Sequence, residues 1–449
     1  VLGIFVAGAY GWCTVGLLWP SLFILIALGC TEYSTIKEIF VAGFGDYVVL
    51  SVVTIFAFAA YLEESGLSQY IANWFISRKI GEGRPWVFTM LIFAAAYVLS
   101  AFVSLYATIV IMWTIFYKIC ESVGIERKSS YATMGICGIV ITTCLTSTIF
   151  PFKPFTQIYY GLVMKATGIT DMPMEFVSWT VCNVVIGIVM IALYLLAVRF
   201  IMRPDVTAVK EAGAKLAYLR DAKMDKSQKI AFVVLVIFIV SQVLPGFLPK
   251  TMPLAVVLNN LSLIGCATIC LIALMILRSK DGTPIVEVGR LINKGTNWDI
   301  VIMLAATNPL SAALESEKTG IIIAVTKWMT ATLSDVSATM FLVLVVVVFV
   351  IATQFAHNLV LAMVLMPMLA KIGLTYGIHP FVIINLVWFS AQSAFLLPAS
   401  SSTAAMIYGN VNWISTKKAY MYDAMFVILA MVTLIVVGIP LTQLMFPAL

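Results

Sequence analysis

A lysine stands between two prolines in the run Phe150-Pro151-Phe152-Lys153-Pro154-Phe155-Thr156-Gln157, inside a stretch otherwise apolar enough to cross a membrane. A fixed positive charge at depth attracts an anion. Its rival role, snorkelling to an interface as an anchor, suits a break this far inside a span less well. The two prolines free backbone groups that lipid cannot satisfy, so the break must face protein or a water-filled cavity. A second break follows Ala394-Phe395-Leu396-Leu397-Pro398, where Ala399-Ser400-Ser401-Ser402-Thr403 places a small, mostly polar run in a hydrophobic segment. Paired breaks at corresponding places of two halves point to the binding site of a secondary transporter.

Two more stretches offer polar groups at comparable places, Ser104-Leu105-Tyr106-Ala107-Thr108 and Gln354-Phe355-Ala356-His357-Asn358-Leu359. At a helix break the Asn358 amide can donate to a carboxylate at the positive end of the following half-helix. His357 is either a capping or packing histidine or a group whose protonation is coupled to substrate. The hydroxyls of Ser104, Thr108, Thr156, Ser401, Ser402 and Thr403 each have a bland reading, since hydroxyls in spans often bond back to their own helix. Their recurrence at both breaks makes them candidate substrate contacts.

The elements that must position these groups follow from composition and charge. Of the 449 residues 62% are hydrophobic and 11% charged, against the roughly 25% charged of a soluble domain. The chain is therefore an all-α polytopic membrane protein whose surroundings are the lipid bilayer, with no nucleic-acid partner expected. The apolar text at Val1–Val6 suggests that the numbering begins inside a helix. Eight scattered cysteines, of which only Cys266 and Cys270 share a helical face, read as packing residues. With two histidines, no His-Glu-x-x-His and no paired aspartates in spans, an intramembrane protease or metalloenzyme is unexpected, and the chain is read as not an enzyme.

Lys/Arg clusters at Arg78-Lys79 with Arg84, at Arg127-Lys128, in 203–229 (seven residues), around Arg278, Lys280, Arg290 and Lys294, and at Lys417-Lys418 fit one cytoplasmic face. The segmentation that keeps them there gives an N-terminal scaffold, 1–46, with a span at 12–29. A first repeat, 47–202, holds a re-entrant hairpin at 85–125 and a broken helix at 130–163. A cytoplasmic basic linker at 203–229 and scaffold helices in 230–297 lead to a second repeat, 298–449, with a hairpin at 338–372 and a broken helix at 380–410. The second half starts from the opposite side, which inverts the repeat. Spacing agrees: Ser104, Lys118, Gly124 and Ile125 precede His357, Lys371, Gly377 and Ile378 by 253 residues, and Tyr160-Gly161 precedes Tyr408-Gly409 by 248. Glu63 and Glu64, closing an apolar span, read as solvated. No acid is then expected in the spans or tips, which disfavours the runner-up reading, a sodium/proton antiporter. The paired breaks argue against a passive channel.

This order of elements resembles the divalent anion/sodium symporter family of the ion-transporter superfamily over nearly the whole chain. The matching residues are Asn297-Trp298-Asp299, 314–320, Phe355-Ala356-His357-Asn358 leading to Leu365-Met366-Pro367, and Ser393-Ala394-Phe395-Leu396-Leu397-Pro398. The resemblance implies a dimerising scaffold, an elevator-type transport domain, residence in the cell's inner (plasma) membrane, and secondary active transport of a small organic anion such as a di- or tricarboxylate, with a permease of the same superfamily for a different small solute as a further alternative beside the antiporter. The family's Ser-Asn-Thr tips, which bind substrate carboxylate and border sodium, stand here as Ser104-Leu105-Tyr106 and His357-Asn358-Leu359. Its Thr-Pro-Pro-Asn is replaced at Lys153-Pro154-Phe155-Thr156 and Ser401-Ser402-Thr403-Ala404. The expected consequences are that Lys153 replaces the first sodium ion, that Asn358 and Ser401 form any second sodium site, and that sodium dependence is weak.

Overall fold

The computed structural model describes residues 1–169, 172, 174–215, 223–249, 251–278, 284–316, 319–320, 336–398 and 400–448. The middle of the basic linker (216–222), the approach to the second hairpin (321–335) and Ala399 of the second break lie outside the described residues. The described chain is helical, and eight of its helices are long and apolar enough to cross a membrane. In chain order these and the shorter helices are α1 (Leu2–Thr14), α2 (Leu18–Gly29), α3 (Ile36–Phe44), α4 (Tyr47–Glu64), α5 (Leu67–Ile76), α6 (Pro85–Phe102), α7 (Leu105–Val123), α8 (Ser130–Leu145), α9 (Pro154–Thr167) and α10 (Phe176–Ala197). There follow α11 (Lys226–Val243), α12 (Pro253–Ile276), α13 (Val288–Gly295), α14 (Trp298–Glu315), α15 (Ala338–Ala352), α16 (Asn358–Thr375), α17 (Pro380–Ala391), α18 (Ser402–Gly409), α19 (Thr416–Thr433) and α20 (Ile439–Met445).

Helices end and restart at four places that matter for the site. α6 and α7 are joined through 103–104, and α15 and α16 through 353–357. α8 stops at Leu145 and its continuation, α9, starts at Pro154; α17 stops at Ala391 and α18 starts at Ser402. Local chemistry fixes where these helices begin. The side chains of Ser104, Ser129, Ser337 and Ser401 each accept a backbone N–H from the first turn of the helix that follows, which satisfies a donor that a helix start would otherwise leave orphaned. Asp46 and Asn297 do the same for α4 and α14.

One segment departs from the sequence reading. Residues 12–29 are not one span: α1 and α2 form an antiparallel pair that reverses at 15–17, where Gly16 takes a φ of 141°. Apolar composition marks membrane-compatible text but not a reversal inside it. Here the reversal is held by close approach, since a Cβ on Gly8 would meet Ile24 and one on Gly11 would meet Pro20, and by a 2.9 Å hydrogen bond from Trp12 to Ser21.

The first hairpin is seated on α8 through two glycines. A Cβ at Gly135 would lie 2.0 Å from the ring of Phe116 on α7, and one at Gly138 would lie 2.0 Å from the ring of Phe93 on α6. Both rings are fully buried, so neither can swing aside, and small residues at the contact allow this proximity. Gly138→Val should therefore lower the thermal unfolding midpoint in detergent, by a change corresponding to about 1–3 kcal/mol of overpacking; an unchanged midpoint would show that the hairpin is not seated in this way.

Candidate functional site

At the end of α6 the last carbonyls have no partner within their helix and carry the negative end of its dipole. Lys153 fills this place. It is 8% exposed, and its Nζ donates to the carbonyls of Ser100 (2.7 Å) and Val103 (3.1 Å). The amides that would have paired with these carbonyls have turned elsewhere: Ala107 N–H donates to Ser104 Oγ at 3.3 Å, and Ser104 N–H donates to Glu63 Oε1 at 3.2 Å. Glu63 is thus not a solvated loop residue. α4 carries it to the hairpin tip, close enough to Lys153 for their charges to interact. Sequence position at the end of an apolar span signals solvent, and only the fold shows that the tip comes to meet it.

The second tip is held without charge. Gln354 is 4% exposed; its Nε2 donates to the carbonyls of Val350 and Ser393, and its Oε1 accepts from the amides of Phe395 and Leu396. Asn358 donates its backbone N–H to Ser400 O (2.9 Å) and its side-chain Nδ2 to Ala391 O (3.3 Å), while its Oδ1 accepts from Leu359 N–H. Ser401 caps α18, donates to Ala394 O and lies 3.0 Å from Thr403 Oγ1. His357 makes no capping bond, and its buried Nδ1 has no hydrogen-bond partner among the described residues.

The four stretches meet. Leu105, Tyr106, Phe155, Asn358, Gln392 and the 401–403 turn line one crevice between the two tips, and Gln392 of the second break donates to Ser147 of the first at 2.6 Å. Tyr106 also lines the two larger spaces on either side. One, of about 450 Å³, is bounded by Glu63, Ser104, Lys153 and Asn297 and walled by Phe102, Phe152, Phe155 and Phe238. The other, of about 410 Å³, presents Asn297, Asp299, His357, Ser401 and Ser402, and is closed in part by the reversal between α1 and α2. Both are of a size to hold a small ligand.

Two expected contacts are placed elsewhere. Thr108 is fully buried one turn into α7, its hydroxyl unpartnered, and lines none of these spaces. Thr156 donates to Phe150 O and so ties the first break together. Ser402 is exposed and faces both the crevice and the second space. Sequence reasoning passed over Glu63, Tyr106, Gln354, Gln392 and Asp299. It also expected no acid in the spans, whereas Asp423, seven residues beyond the start of α19, is fully buried and accepts a 3.0 Å hydrogen bond from Tyr408. The helix begins at Thr416, so Asp423 lies two turns inside it. Asp423 lines none of the three spaces.

Gln354→Ala should disrupt the second tip, because it strips partners from buried backbone groups at about 1–3 kcal/mol each. The expected result is a large drop in the unfolding midpoint together with loss of ligand binding. A variant that keeps both would show that the second tip is held by other means.

Comparison with known proteins agrees with this architecture. The crystal structure of the Alcanivorax borkumensis YdaH transporter, described as having an unusual topology, superposes with a TM-score of 0.63 at 15% identity, covering 92% of this chain and 88% of that one. At that identity it shows the fold alone. An uncharacterised transporter of Synechocystis sp. is 26% identical over 140 residues, a match that takes in 30% of this chain and 22% of the relative. Residues 4–391 match the citrate transporter (CitMHS) family, and since that is most of the length, this multi-pass membrane protein belongs to the citrate transporter family.

Proposed function

We propose that the protein is a secondary active transporter of a small organic anion, a di- or tricarboxylate, bound between the two hairpin tips and the two helix breaks. The observation that carries this reading is the ammonium of Lys153 at the wall of a 450 Å³ cavity whose other polar groups include Ser104 and Asn297. A cation already buried and hydrogen-bonded is preorganised for an anion, and the aromatic wall keeps the effective dielectric low, where such an attraction counts for more. Family membership and the names of the matched proteins favour transport.

Several finer points belong to the same proposal. The hairpins and interrupted helices form the moving part of an elevator, in a homodimer in the cell's inner membrane, with the basic linker cytoplasmic. Sodium has little room at either tip. At the first, the Lys153 ammonium holds the carbonyls that a cation would seek. At the second, the Asn358 and Ser401 oxygens already serve backbone amides. Dependence on sodium is accordingly weak, and transport runs by exchange or with protons taken up at His357, a residue that lines the second space. The Glu63 carboxylate in the cavity is the specific point in favour of the alternative, a sodium/proton antiporter.

Reconstituted protein discriminates between these readings. Proteoliposomes loaded with citrate or succinate should take up the same labelled anion against its gradient, with little change on replacing sodium by potassium; sodium-driven proton movement without anion counterflow would establish the antiporter. Lys153→Ala should weaken citrate binding at least about thirtyfold, from the 2 kcal/mol or more that a truncated buried charge contact costs. Lys153→Arg should retain part of the binding. Normal uptake by Lys153→Ala, rising steeply with sodium, would reduce Lys153 to an anchor.

A further inference from the structure

Glu63 is the acidic group on the wall of the 450 Å³ cavity, and an anion carrier has no evident use for a negative charge there. Its placement is nevertheless specific. The neighbouring Glu64 is held by Arg290 (2.8 Å) and Lys294 (3.5 Å) of α13, and Gly295 lets α13 lie directly on Ala60 and Phe56 of α4. The end of α4 is thereby clamped, and Glu63 on the adjoining position is directed at the first tip. There its Oε1 accepts the N–H of Ser104 at 3.2 Å, at the N-cap of the 19-residue helix α7. That end of a helix carries positive partial charge and unpaired N–H groups, a standing site for a carboxylate. The Lys153 ammonium is near enough to add its attraction.

Within the anion-transport reading on which this rests, we propose that Glu63 is an internal ligand: in the empty carrier its carboxylate occupies the anion position at the first hairpin tip, and a carboxylate of the substrate displaces it. In the empty carrier the Lys153 charge is then not left without a counter-charge. Displacement also sets specificity. Replacing one carboxylate by another at the same N–H and beside the same ammonium makes no new contact and leaves the Glu63 carboxylate displaced in the same cavity, so a monocarboxylate gains little. A di- or tricarboxylate gains from its further carboxylates, which reach toward Asn297 and the Lys294 rim of the same cavity. Glu63 thus selects for polycarboxylates by competing with their first carboxylate.

Titration calorimetry on the full chain in nanodiscs, with citrate and acetate as probes, tests this in wild type, Glu63→Gln and Lys153→Ala. Glu63→Gln keeps the shape but removes the competing charge. It should bind citrate at least about tenfold more tightly than wild type and should acquire measurable acetate binding. Citrate binding that is unchanged or weaker in Glu63→Gln, with wild type binding normally, overturns the internal ligand and leaves anion transport standing. Failure of wild type to bind any carboxylate overturns both. Hydrogen exchange guards against a folding artefact: in Glu63→Ala without ligand, amides at 104–107 should exchange faster than in wild type while those of α15–α16 do not change, and added citrate should restore their protection. Unaltered exchange at 104–107 also overturns the proposal.

Discussion

The structure depends on how two helices can stop in the middle of an apolar protein. Every interrupted helix leaves up to four carbonyls or four amides without partners, and inside a membrane protein water is not there to take them. Each chain break must therefore be answered by a side chain brought from elsewhere. At the first tip the answer is ionic: the Lys153 ammonium on the carbonyls of Ser100 and Val103, and the Glu63 carboxylate on the amide of Ser104. Because these partners come from α4 and from the α8–α9 break, satisfying the tip also positions three elements around one cavity.

The second tip meets the same demand with neutral groups. Gln354 has two donors and one acceptor oxygen with two lone pairs, and it uses them on two carbonyls and two amides. Asn358 and Ser401 complete the arrangement, so the second break is closed by hydrogen bonds that need no counter-charge. The two halves thus share a geometry and differ in chemistry. The paired positions 104 and 357 begin the second helix of each hairpin, yet one is a serine facing a carboxylate and the other a histidine with a free nitrogen.

Much of this was legible in the sequence. Prolines at 151, 154 and 398, small polar runs beside them, and apolar stretches too long for a single crossing announce interruptions through local rules, and helices end at Phe102, Leu145, Ala352 and Ala391 beside those runs. Lys153 was legible because a lone cation amid apolar text has few bland explanations. The groups that answer it were not. Gln354 lies in a stretch marked for its other polar residues and Glu63 at the end of an apolar span, and their roles come from carbonyls and amides about 40 residues away in sequence. The α1–α2 reversal was missed because glycine packing against Ile24 and Pro20 is tertiary information. Asp423 escaped because its burial against Tyr408 is tertiary information too.

The ionic tip bears on what a moving transport domain would carry. Taken alone, Lys153 would make the empty site cationic, and shifting a single charge through apolar surroundings is costly. Lys153 and Glu63 together are neutral, and the second tip adds no fixed charge. An empty site of this composition can change sides without a sodium ion to balance it, whereas a site built from serine, asparagine and threonine has no fixed charge with which to offset a bound anion. If a polycarboxylate displaced Glu63 from the tip, as proposed, the site would hold an excess of negative charge, which a proton or another cation taken up with the substrate would reduce. On that reading the same pair that makes the empty carrier self-sufficient would create the demand for a coupling ion when it is full, and His357, which lines the second space, would be the group to meet it.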